Sequence, residues 1–228
     1  MKNLKYSEIL KLNKEIESEI QSNPYDITIL SNITVHQIKE ILEYHLRTEG
    51  INANVVIGDY DNIVQDSKKY QDSNAVIIFW ELSDIVDGLQ FRIELLNSYK
   101  LDEILEKTRF EIDLVLKNLQ KTSLVLINKF TYLHFCSFNI SKNNLEELAD
   151  QLNQYLESKI AENIRIIEFE KVIVNVGLGN SLDLRYYYLS KALYTVDFFK
   201  AYAESIKPFF MSANGKAKKA LIFDCDNT

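Results

Sequence analysis

The sequence predicts an α/β fold in three layers, α/β/α, around a mainly parallel sheet. Two observations carry that prediction. Along the 228 residues the apolar positions switch repeatedly between a helical and a strand-like period, as alternating strands and helices do. Two runs, AVIIFW at 75–80 and LVLIN at 124–128, are continuously apolar, as expected of strands covered by helices on both faces. With 46% apolar and 26% charged residues, the composition supports a packed core and argues against disorder.

Taken in order, residues 6–21 set Tyr6, Ile9, Leu10, Leu12 and Ile16 on one helical face, and Asn23-Pro24 ends that helix. Residues 25–30 (YDITIL) form a short strand. Thr34 is placed to cap a helix over 35–49, with Gly50 as its stop. A strand over 51–57 closes on Gly58-Asp59. The buried strand at 75–80 leads to a long helical region, 89–120, and then to the strand at 124–128. Leu145, Leu148, Leu152 and Leu156 mark a helix over 143–161. A strand over 164–169 and an aromatic helix over 195–210 follow. Gly177-Leu178-Gly179-Asn180 lacks the third glycine of a dinucleotide fingerprint and reads as a plain loop. Residues 212–219 are a polar, Lys-rich linker, and 220–223 open one more strand. The organisation that follows is a first domain over 1–211, with its N-terminal helix inside 1–24, a linker over 212–219, and the start of a second domain over 220–228.

The net charge of −7 argues against a nucleic-acid surface, which needs clustered Lys and Arg. Cys136 and Cys225 lie in apolar runs and make no disulfide framework. Residues 1–14 lack the pattern of a signal peptide, and no apolar run is long enough to span a membrane. The expected setting is cytoplasmic, with neither nucleic acid nor membrane as a partner. There the Asn-x-Ser/Thr matches at Asn32 and Asn139 carry no glycan.

In a parallel sheet the working residues sit just past the carboxyl ends of the strands. Here those places are Ser31-Asn32-Ile33-Thr34, Gly58-Asp59-Tyr60, residues 81–84 and residues 128–132. Asn32, Asp84 and Asn128 are polar candidates there. Trp80 either lines the cleft or caps the core.

The chain closes on Leu221-Ile222-Phe223-Asp224-Cys225-Asp226-Asn227-Thr228, an apolar strand running into Asp-x-Asp-x-Thr. A strand end can deliver one carboxylate to attack phosphorus. A second, two residues on, can serve as general acid and base. Mg²⁺ would shield the first carboxylate from the phosphate it approaches. The bland alternative is a surface turn with two solvated aspartates.

This motif resembles the first motif of the haloacid-dehalogenase (HAD) superfamily. By that resemblance Asp224 is the nucleophile and a metal ligand, Asp226 is the acid/base and a ligand through its backbone carbonyl, and Thr228 orients Asp226. The superfamily's Ser/Thr, Lys and further acidic pair lie downstream of the motif. Mg²⁺ is therefore expected in a full-length protein and not in this segment, where Asp224 and Asp226 are expected as a frayed strand end. Tyr186-Tyr187-Tyr188-Leu189-Ser190-Lys191-Ala192-Leu193-Tyr194-Thr195, the aromatic helix, the linker and LIFDCDNT together resemble the FkbH-like family (HAD subfamily IIIC). The likeness runs from about residue 27 and is strongest over 183–228. It implies an N-terminal domain of SGNH-hydrolase/flavodoxin-like fold ahead of the phosphatase domain. It also implies a phosphorylated small molecule and an acyl-carrier protein as partners, in polyketide or surface-polysaccharide biosynthesis.

An SGNH hydrolase carries its nucleophile just after the first strand, where Ser31 stands. Its base comes from a late Asp-x-x-His segment. Here that segment is Asp183-Leu184-Arg185-Tyr186, and no His follows residue 134. The triad is broken by this reading, and a degenerate binding pocket is the stronger expectation. Asp183 and Arg185 either form an ion pair that fixes the late loop or touch substrate. His36 and His45 lack the spacing of a metal pair. His36 lines the Ser31 cleft or merely starts a helix, and His134 reads as a core or edge residue. Lys216, Lys218 and Lys219 keep the linker solvated or meet an acidic carrier.

Three functions compete. A catalytic partnership with the phosphatase domain requires an open cleft holding Ser31, Asp84 and Asn128 and facing Asp224. A partner-docking module predicts a filled cleft and an exposed apolar or basic patch elsewhere. An SGNH esterase or acyltransferase requires a His beside Ser31.

Overall fold

Alternate side chains along each strand go to opposite faces of one sheet, and both faces are apolar. The computed structural model describes residues 4–132 and 143–217. Strands β1 (Tyr25–Ser31), β2 (Ala53–Ile57), β3 (Ala75–Phe79), β4 (Leu124–Asn128) and β5 (Ile164–Ile167) pair in the order β2-β1-β3-β4-β5, every pair parallel. Ile27, Ile29, Ala75, Ile77 and Phe79 point to one layer, and Leu30, Val76, Ile78, Val125 and Ile127 to the other. The three-layer α/β/α fold is the one the apolar periodicity predicts.

The first layer holds α2 (Ile38–Arg47), α7 (Phe169–Val176) and α10 (Val196–Ala213), with α1 (Tyr6–Glu19) packed along α2. The second holds α3 (Ile63–Lys69), α5 (Ser98–Asn118) and α6 (Asn144–Ser158). Phe79, Phe169, Phe198 and Tyr202 build an aromatic core under α10, in tilted, edge-on and stacked contacts. A buried polar bridge ties α1 to α2. Arg47 Nη1 donates to Asn13 Oδ1 at 3.0 Å, and Asn13 Nδ2 donates to Glu43 Oε2 at 3.1 Å.

Local physics moves several boundaries. α2 begins at Ile38 rather than at 35, because Thr34 does not cap it. The Thr34 hydroxyl donates instead to Ser190 O at 2.7 Å, across the molecule. The expected long helix over 89–120 is split into α4 (Leu89–Arg92), a 3-10 turn (Ile93–Leu95) and α5. Asn97 starts α5 by accepting Lys100 N at 3.0 Å. The segment that reads as a plain loop at Gly177 contains a four-residue helix, α8 (Leu178–Ser181). After it comes α9 (Leu184–Ser190). The sequence reading predicts none of α3, α7 and α9. α10 runs to Ala213 through Pro208, into the stretch that reads as linker. At Gly58 a Cβ would lie 2.5 Å from Asp66 Oδ2. Only glycine lets the turn after β2 close on that buried carboxylate, which accepts Asp59 N at 2.6 Å.

Candidate functional site

With this strand order the chain leaves β1 toward one edge of the sheet and leaves β3 toward the other. The loops after β1 and β3 therefore diverge, and a crevice is expected at their carboxyl ends. Ser31 and Asn32 stand on one side of it, with Trp80, Glu81 and Asp84 on the other.

Two asparagines pin the crevice floor. Asn32 Oδ1 accepts Glu81 N at 2.7 Å, and its Nδ2 donates to Glu81 O at 2.9 Å. Asn128 Oδ1 accepts Trp80 N at 2.7 Å, and its Nδ2 donates to Trp80 O and Lys129 O, each at 2.9 Å. Each amide mimics a peptide unit and extends the ladder past the point where the strands part. Both side chains are buried. Neither is available to a ligand without stranding a backbone group, so the structure gives them a structural role where the sequence suggests binding. Trp80 is buried against Phe130 and belongs to the core.

Ser31 is likewise occupied. Its Oγ donates to Ile33 O at 2.7 Å and accepts Ile33 N at 3.1 Å, closing a turn on itself. Neither described histidine hydrogen-bonds to it. His36 is exposed on the next loop. His45 is buried on α2, with Glu204 3.3 Å from its Nδ1. A serine nucleophile needs a base within hydrogen-bond reach, and the described residues give Ser31 none.

The crevice is filled by side chains from α9 and the turn after it. Tyr194 donates from its hydroxyl to Glu81 Oε2 at 2.9 Å, and Tyr187 to Ser83 Oγ at 3.0 Å. Lys191 Nζ lies 2.5 Å from Asp84 Oδ1 and 3.1 Å from Asp87 Oδ1. The Asp84 side chain is only 5% exposed. Burial raises its carboxyl above the ordinary range, against the lowering effect of the Lys191 hydrogen bond. Burial also raises the Tyr187 and Tyr194 hydroxyls well above theirs. For Lys191 burial acts to lower the value, but its bonds to Asp84 and Asp87 prevail and keep it cationic.

Lys191 (φ 58°) and Asp61 (φ 53°) are both left-handed, at a cost of about 1 kcal/mol each. Both hold the β1 loop: Thr34 N donates to Lys191 O at 2.9 Å, and Asp61 N to Ser31 O at 3.0 Å. The strain sits where the loop is fixed from both sides.

In the late segment Asp183 caps α9 by accepting Tyr186 N at 3.1 Å. Arg185 makes no ion pair with it and lies over the Tyr186 ring at 5.3 Å. Tyr186, in the position of the hydrolase histidine, faces a cavity of 410 Å³ shared with His36 and Asp183. A second cavity, of 400 Å³, lies beyond β4 and β5 around Lys129 and Glu168. Ser31, Asn32, Asp84 and Asn128 line neither.

Of the residues that organise this end of the sheet, Glu81 and Ser83 fall within the strand end 81–84 that the sequence marks, without being named as site residues, and Tyr187, Lys191 and Tyr194 are not marked as site residues at all. Glu81 does leave a signal, a carboxylate directly after a continuous apolar strand. Among the described residues no group of three or more His, Cys, Asp or Glu is placed to hold a metal. Asp224, Asp226, Thr228, Cys136, Cys225, His134, Lys218 and Lys219 lie outside the described residues. Lys216 donates to Glu49 O at 2.8 Å, beyond the end of α2. α10 thus carries the chain from the carboxyl end of the sheet to its amino end. No described helix is long and apolar enough to cross a membrane.

No family model and no curated protein matches the chain. Solved structures do. One is the N-terminal part of the protein BF1531 from Bacteroides fragilis, containing a phosphatase domain complexed with Mg. It is 13% identical, with a TM-score of 0.76 over 98% of this chain and 61% of that one. The chain shares its fold. The salicylyl-acyltransferase SsfX3 from a tetracycline biosynthetic pathway is also 13% identical, with a TM-score of 0.50 over 86% of this chain and 56% of that one. The chain therefore spans less than two thirds of either solved chain.

Proposed function

We propose that these residues form the companion domain of an FkbH-like, Mg²⁺-dependent phosphatase or phosphotransferase, and that the companion domain does not itself hydrolyse esters. The observation that carries this reading is the closed Ser31 turn, with Tyr187, Lys191 and Tyr194 filling the crevice above it. The likeness to a longer chain with a phosphatase domain supports it. So does the Asp224-x-Asp226-x-Thr228 motif, whose Asp224 carboxylate and Asp226 backbone carbonyl are oxygen donors of the kind Mg²⁺ favours. The substrate in this reading is a phosphorylated small molecule in a biosynthetic pathway. The test is Mg²⁺-dependent release of phosphate from p-nitrophenyl phosphate by the complete gene product. Activity lost in Asp224→Asn and kept in Ser31→Ala supports the proposal. Activity indifferent to Asp224→Asn, or absent with Mg²⁺ present, ends it.

A second reading, a docking module for an acyl-carrier protein, is favoured by α9. That helix presents Leu184, Tyr188 and Leu189 to solvent, with Tyr188 stacked on the equally exposed Phe91 at 6.0 Å. Carrier binding abolished by Leu189→Asp supports this reading, and binding left intact by that change removes it.

A further inference from the structure

Although the crevice over Ser31 is closed, a cavity of 410 Å³ opens beside it, between the loop after β1 and the turn joining α9 to α10. We propose that this cavity is a binding site for a short acyl or aromatic group carrying a neutral hydrogen-bonding head, an amide or a hydroxyl. Its size is that of a small-molecule site, which runs from about 300 to 1,000 Å³. Tyr186, Ala192, Tyr194, Val196 and Phe199 supply an apolar and largely aromatic wall. His36, Gln37 and Asp183 supply the polar groups. This is the composition of a site that buries an apolar body and orients one polar end.

The wall is rigid where it is deepest. Phe199 is held by Phe79 at 6.2 Å and Tyr194 by Phe198 at 4.1 Å. The Tyr194 hydroxyl is committed to Glu81, so the ring is fixed from its far end. His36 and Gln37 are exposed and Asp183 is half-buried, as the groups of a mouth are. Asp183 places a carboxylate there, which disfavours an anionic head and accepts a bond from an amide or hydroxyl. Gln37 offers both a donor and an acceptor to the same head. Binding here requires neither Ser31 nor the phosphatase reading, since Ser31 is not part of the wall.

The experiment is saturation-transfer NMR on this chain with hexanamide and benzamide as probes and hexanoate as the anionic comparison. Transfer to the apolar end of the amides is expected, weaker for hexanoate, and lost in Ala192→Trp, which fills the cavity from the turn. Phe110→Ser, on the exposed face of α5 in the other layer, is expected to leave it unchanged. Val196→Phe narrows the cavity from α10 and keeps the test readable if Ala192→Trp fails to fold. No transfer to either amide overturns the proposal. So does transfer that survives both filling variants, or transfer to hexanoate equal to that seen with hexanamide.

Discussion

At the scale of single residues, His45 shows what burial does when a nearby carboxylate, Glu204 at 3.3 Å, makes no hydrogen bond to the ring. It is almost fully buried on α2, and neither ring nitrogen has a hydrogen-bond partner among the described residues. Burial lowers its pKa from 6.5 to about 4, against the opposing pull of Glu204. The unfolded chain therefore takes up this proton at a higher pH than the folded one. The stability His45 allows is complete above pH 6.5 and is lost as the pH falls toward about 4, on the order of 3 kcal/mol in all. Urea unfolding across that window is expected to show the decline, and His45→Leu to flatten it. A decline of the same size in His45→Leu would assign it to other groups. The sequence places His45 on a helix, but not in the seam with α10, because that seam is built by residues more than a hundred positions later.

At the scale of elements, α9 has its polarity reversed. The groups it turns inward, Tyr187 and the Lys191 that ends it, make polar bonds to Ser83 and Asp84, while Leu184, Tyr188 and Leu189 face out. Hydrophobic periodicity assumes the apolar face is the buried one, which is why α9 is not legible in the sequence. The five strands are legible because short apolar, β-rich runs bounded by turn residues are what a sheet covered on both faces requires. The short α3, α7 and α8 are not, since one or two turns leave too little period to read. Lys191→Met keeps the stem but removes the cation from buried Asp84. It is expected to cost about 2 kcal/mol, allowing for the partial exposure of Lys191. The loss should be largest near neutral pH. Asp84 already has a raised carboxyl, and removing its cation raises it further. The protonated form then relieves the deficit as the pH falls. Chemical unfolding of wild type and variant at neutral and acidic pH checks this, and a deficit that ignores pH would mean lost packing rather than lost charge pairing.

At the scale of the whole molecule, two ends of the sheet have separate tasks. The carboxyl end carries the closed Ser31 turn, the α9 clamp and the side cavity. α10 is about 27 Å long and delivers the chain to the amino end, where Lys216 meets Glu49. Asp224 lies seven residues past Ala217, a reach of at most about 25 Å. The catalytic partnership expected from the sequence sets Ser31, Asp84 and Asn128 in one open cleft facing Asp224; none of the three lines either cavity described above, and Asp224 lies outside the described residues. The sequence does point to the right neighbourhood: Ser31, Asn32, Asp84 and Asn128 gather at the carboxyl ends of their strands. It does not show the late segment folding back to fill the gap, which depends on a left-handed Lys191 that no local pattern announces.

Ser31, whose hydroxyl closes a turn on Ile33, is expected not to act as a nucleophile. Fluorophosphonate labelling followed by peptide mass mapping tests it most directly, because the reagent modifies only serines activated by a base. No adduct is expected on Ser31 in the folded protein. An adduct mapped to Ser31 in the folded protein, and not formed when the protein is unfolded before labelling, would overturn that expectation by showing a base in place that activates this hydroxyl.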